Sequence, residues 1–87
     1  MRVTINVLHR EAIRLLKEKG YKIILDYIDT DDLRIFCKSS MNQSIMVILE
    51  KKESCYIYTI STNTSKKEIS ATKNYLANLR LFIEKEL

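Results

Sequence analysis

Ile5, Leu8, Ala12, Leu15 and Leu16 recur at three- and four-residue steps, the spacing that lines one face of an α-helix. Thr4 or Asn6 can cap such a helix, and Gly20 follows Lys19 where a left-handed turn most often ends one. Arg10, Arg14 and Lys17 line up on the opposite side. Val3, Ile5 and Val7 also alternate as a short strand over residues 2–7 would, and this competing reading stays open.

Tyr21 to Ile28, Leu33 to Lys38, Ser44 to Lys51 and Ser54 to Ser61 are rich in β-branched and aromatic residues and bounded by polar turns. They predict four antiparallel strands joined as hairpins. The last quarter reads as one long amphipathic helix from Ser65 to Leu87. Ser65 and Glu68 have the spacing of a capping box, and Ile69, Leu76, Leu79, Phe82, Ile83 and Leu87 form its apolar stripe, with Thr72 and Tyr75 beside them. Lys66, Lys73 and Arg80 lie seven apart, as a near-straight basic line would. The expected fold is a single α+β domain over 1–87, in the order α-β-β-β-β-α, with both helices on one sheet face.

Period-two alternation divides the strand residues between two faces. Tyr21, Ile23, Leu25, Tyr27, Leu33, Ile35, Cys37, Ile45, Val47, Leu49, Tyr56, Tyr58 and Ile60 make a core face for the helices to cover. The other face should be polar if it met water. It carries instead Ile24, Ile28, Phe36, Met46, Ile48, Cys55 and Ile57, interrupted by Lys22, Asp26, Arg34, Lys38 and Glu50. That is more contiguous apolar surface than a monomer usually exposes. Either a partner buries this face, a second copy in a homodimer or another protein, or one helix crosses to it and leaves two thin cores. Ile24, Phe36, Met46, Ile48 and Ile57 are the candidate apolar interface.

Composition narrows the class. Eighty-seven residues with 46% hydrophobic content, one Gly and no Pro make a globular chain near the lower size limit for folding without disulfides or metal. No apolar run approaches the roughly 18 residues of a membrane span, and no signal-peptide pattern opens the chain, so no membrane partner and a cytoplasmic location are expected. The net charge of +4 is uneven. Residues 1–22 carry six Lys/Arg against two Glu, residues 65–87 five against three, and residues 23–64 four against six acids. Basic ends favour an acidic protein surface or nucleic acid. Arg10, Arg14, Lys17, Lys66, Lys67, Lys73 and Arg80 are the candidate basic anchor.

No catalytic constellation is legible, and no cofactor or metal is expected. His9 has no Ser or Cys at a telling spacing and reads as a boundary histidine. Asp29, Asp31 and Asp32, near Asp26, lack the glycine and distal glutamate of a calcium loop, so they read as a solvated turn. Cys37 and Cys55 lack C-x-x-C partners and read as free, half-buried thiols, which leaves the sequons at Asn42 and Asn63 without weight. Tyr56 and Tyr58 share a face and read as core tyrosines, with base stacking as the alternative.

Ser65-Lys66-Lys67-Glu68 resembles the start of the second helix of double-stranded-RNA-binding domains. The resemblance implies that Lys66 and Lys67 reach phosphates across the major groove. The family's third lysine falls at Ser70, and its loop between the first two strands is replaced by Asp29 to Asp32. Residues 11–25 are similar to the opening of HicA-type mRNA-interferase toxins, whose catalytic histidine has no counterpart here. Small size, Lys, Ile, Asn and Ser richness and a lack of catalytic residues resemble the accessory proteins of phages and mobile elements, including anti-CRISPR proteins. The expectation is a non-enzymatic interaction protein that occupies a host protein or nucleoprotein surface. The alternative is a duplex RNA- or DNA-binding module that uses the basic start of the terminal helix.

Overall fold

The computed structural model describes residues 3–87. Its elements run α1 (Ile5–Glu18), β1 (Lys22–Ile28), β2 (Asp32–Lys38), β3 (Ser44–Lys51), β4 (Tyr56–Ser61), β5 (Lys66–Ala71) and α2 (Tyr75–Glu86). The fold is α+β: one antiparallel sheet in the order β1-β2-β3-β4-β5, with α1 and α2 packed side by side over one face.

Thr4 caps α1, its Oγ1 accepting from Val7 N at 3.4 Å. Residues 5–7 are helical, which settles the competing strand reading for Val3 to Val7; Arg2 lies outside the described residues. Gly20, at φ 87°, ends the helix in a left-handed turn. There Gly20 N donates to Lys17 O and Tyr21 N to Leu16 O, both at 3.0 Å, the paired bonds that satisfy the last free carbonyls. Ile5, Leu8, Ala12, Leu15 and Leu16 are buried, as their spacing predicts.

The terminal quarter differs from the sequence expectation. Lys66–Ala71 is a fifth strand, and the helix starts only at Tyr75. The cause is tertiary. A sheet ending at β4 would leave a row of unpaired backbone groups beside the helices, and β5 supplies their partners, with Ile69 opposite Tyr58 and Ala71 opposite Tyr56. Ser65 therefore caps no helix. It sits in the β4–β5 turn, where Thr62 N donates to Ser65 O at 2.8 Å and Ser65 N to Thr62 Oγ1 at 3.1 Å. Glu68 accepts from Thr59 Oγ1 at 3.5 Å across the strands. Asn74, in the left-handed region at φ 52°, turns the chain into α2.

The core lies between the sheet and the two helices, where Leu8, Leu16, Leu33, Ile35, Leu49, Tyr58, Leu79 and Ile83 are fully buried. Tyr58 donates its hydroxyl to Tyr75 O at 2.9 Å, joining the sheet centre to the start of α2. Tyr56 meets Tyr75 edge to face with ring centroids 4.8 Å apart, so both strand tyrosines serve the core and present no stacking platform.

β1 breaks the alternation. Its register slips between Ile23, opposite Cys37, and Leu25, opposite Phe36. One extra residue, Ile24, makes a β-bulge, and beyond it every side chain changes face. Leu25 and Tyr27, expected in the core, stand instead on the outer face at 68% and 52% exposure. Asp26 and Ile28 take the helix side, opposite Ile35 and Leu33.

Candidate functional site

Neither helix packs on the outer face of the sheet, and no described element covers it, although Thr59 near its middle is only 3% exposed among its neighbours. The strand register arranges it in rows. One row runs Leu25, Phe36, Met46, Ser61, Lys66, and the next Tyr27, Arg34, Ile48, Thr59, Glu68. Beyond the first row lie Lys22, Lys38 and Ser44; beyond the second lie Asp32, Glu50, Ile57 and Ser70. Phe36, Met46, Ile48 and Ile57 are half-buried among their neighbours, and Ile24 is 47% exposed at the bulge. The apolar field is therefore contiguous from β1 to β4. Leu25 and Tyr27 belong to it although alternation assigns them inward, and no local residue pattern announces the bulge that moves them.

The two ends of this face carry opposite charge. Lys22 stands opposite Lys38 at one end, and Asp32 opposite Glu50 at the other. Like charges directly across a strand pair are destabilising. Among the described residues, Lys22, Lys38 and Asp32 have no ion-pair partner within 4.0 Å, and Glu50 reaches only Lys52, at 3.6 Å. Both sheet edges are guarded against strand addition, β1 by Lys22 and the bulge and β5 by exposed Lys66, Lys67 and Glu68. The open surface is the face.

The seven candidate basic residues do not form one line. Lys66 and Lys67 are adjacent on a strand and point to opposite faces, so the paired-lysine arrangement of a helix start is absent. Lys73 lies in the linker before α2, and Arg10 and Lys17 stand exposed on α1. Arg14 and Arg80 are brought together by Glu11, the former from the same helix at 2.7 Å and the latter from α2. Glu11 is only 10% exposed, and its carboxyl is held at about 2, chiefly by the Arg14 hydrogen bond and then by Arg80, against the opposing effect of burial. These residues line a shallow cleft of about 290 Å³ with Val7, Arg10 and Leu76 between the helices. Two of the arginines are thus structural, and Lys19 adds a second tie between the helices, 3.4 Å from Glu84.

The remaining candidates resolve into structural roles. His9 Nε2 donates to Asp26 Oδ2 at 2.7 Å. Asp29 accepts from Thr30 N at 2.7 Å and from the Tyr27 hydroxyl at 3.1 Å, and these bonds, the Thr30 amide first, hold its carboxyl below the usual range. Among the described residues no group of three His, Cys, Asp or Glu is placed to hold a metal ion. Cys37 is buried and Cys55 half-buried, both as free thiols. No described helix is long and apolar enough to cross a membrane. No known protein family, curated protein or solved structure matches the chain.

Proposed function

We propose that this is a non-enzymatic interaction protein that acts by occupying an acidic or nucleic-acid-binding surface of a host protein or nucleoprotein. The observation that carries the reading is the outer sheet face, an apolar field from Leu25 to Ile57 flanked by a basic and an acidic end and covered by no described element. Large desolvated side chains of this kind supply most of the energy of protein association. The face is an assembly surface, and the basic residues of the helical layer, foremost Arg10 and Lys17, which stand exposed with no ion pair among the described residues, steer the particle to its target. Blocking host nucleic-acid machinery in the cytoplasm is the activity that the likeness to phage accessory proteins implies. Direct duplex binding through Lys66 and Lys67 loses its basis, since the two side chains diverge.

Affinity purification from host cells tests this, with the wild type beside an Arg10→Glu/Lys17→Glu variant and each sample divided between nuclease-treated and untreated halves. The reading expects a protein partner that survives nuclease on the wild type and is lost with the variant. Disappearance of every partner after nuclease treatment would instead make nucleic acid the target and overturn it.

A further inference from the structure

The outer face is complementary to itself. A line drawn across the strands between the row of Ile48 and the row of Met46 divides it into halves that match under a half-turn. On β2, Asp32 exchanges with Lys38 and Arg34 with Phe36; on β3, Ile48 exchanges with Met46; on β5, Glu68 exchanges with Lys66; on β1, Tyr27 exchanges with Leu25. We propose that a second copy of this chain closes the face, packed sheet on sheet about a two-fold axis lying in the interface along that line. The proposal deepens the assembly part of the reading above and rests on it.

Such an axis reverses the strand direction and lays each strand over its own counterpart, within the roughly 30° crossing angle of aligned sheets. Acid then faces base on both sides of the dimer, Asp32 against the partner's Lys38 and Glu68 against the partner's Lys66. Arg34 meets the ring of the partner's Phe36, where a guanidinium is attracted to the aromatic face. Ile48 and Met46 fill the centre. The alternative two-fold axis, along the strands, stacks the Lys22–Lys38 end on itself and the Asp32–Glu50 end on itself, so electrostatics selects between the two.

Two further observations favour a copy over an unrelated protein. The like-charged cross-strand pairs Lys22–Lys38 and Asp32–Glu50 are costly in an isolated chain, and the same operation that buries the apolar rows sets one member of each, Lys38 and Asp32, against its opposite. The extent also fits. The rows hold seventeen positions, and at about 4.8 Å by 6.8 Å each they give roughly 550 Å² in projection, the same order as the ~800 Å² per partner of a standard interface. An isologous contact of this kind needs one patch only. It leaves both helical layers outside, so Arg10 and Lys17 are displayed twice, on opposite sides of the dimer.

Light scattering coupled to size exclusion, at low salt and up to about 100 μM of the full chain, tests the proposal. The expected mass for the wild type is twice 10.3 kDa. Ile48→Lys is expected to be monomeric, and its circular dichroism melt shows whether it folds. Asp32→Lys and Lys38→Asp each place like charges across the axis twice and should weaken the dimer about tenfold or more. Their equimolar mixture restores both pairs and should regain the wild-type affinity as a heterodimer. A monomeric wild type overturns the second copy, as does a dimer untouched by a folded Ile48→Lys. A mixture no tighter than its components overturns the axis. A dimer that retains no partner after nuclease treatment upholds this proposal while refuting the target reading, so the two fail separately.

Discussion

His9 Nε2 lies 2.7 Å from Asp26 Oδ2, joining α1 to a residue that strict alternation would place on the far side of the sheet. The bulge at Ile24 makes the pair possible, and the same slip sends Leu25 and Tyr27 outward. His9 and Asp26 are 22% and 43% exposed, so solvent screens the contact. Asp26→Ala should cost about 0.5–1 kcal/mol in urea denaturation, and a double-mutant cycle with His9→Ala should recover most of that as coupling. Additive single effects would mean that the pair does not anchor the bulge.

Glu11 should govern part of the acid limb of stability. Its folded carboxyl is drawn from the usual 4.5 to about 2, by Arg14 first and Arg80 after, with burial opposing. Because the folded value lies below the unfolded one, the contribution is complete above about pH 4.5 and is lost as the pH falls toward 2. The half-exposed guanidiniums are screened, so about 1–2 kcal/mol is expected, short of the full shift. Glu11→Gln should be less stable than the wild type by that amount at pH 6, and the two should converge near pH 2.

Burial pushes the Cys37 thiol up to about 11. At pH 8 its thiolate fraction is of order 10⁻³, and access requires opening of the core. Iodoacetamide followed by peptide mass spectrometry should leave Cys37 unmodified in the native protein and modify it fully in denaturant. Rapid native labelling of Cys37 would contradict its burial between sheet and helices.

Tyr58→Phe removes only the hydroxyl that meets Tyr75 O at 2.9 Å. It should destabilise by about 1 kcal/mol, whereas Tyr58→Ala, which also empties the space beside Phe82, should cost about 3–5 kcal/mol. Chemical denaturation of the two variants separates the bond from the packing.

Much of this architecture was legible from residue spacing. The five apolar positions of α1, its Thr4 cap and its Gly20 end act locally, so the sequence determines that helix almost alone. Likewise β2 and β3 alternate strictly, and β4 keeps its faces although Thr59 is buried on the outer one. Phe36, Met46, Ile48 and Ile57 lie on the outer face for that reason.

Only the tertiary structure decided the two remaining features. In Lys66–Ala71 two apolar residues, Ile69 and Ala71, are too few to fix a period, and the Ser65–Glu68 spacing suits a helix cap equally well. The need of β4 for a hydrogen-bonding neighbour settled the matter, and with it the loss of the basic line through Lys66, Lys73 and Arg80. The bulge is the second case. A slip of one residue leaves composition and local propensity unchanged but inverts every later side chain, so Leu25 and Tyr27 joined the outer face through the pairing of β1 with β2, a non-local choice that no short stretch of sequence encodes.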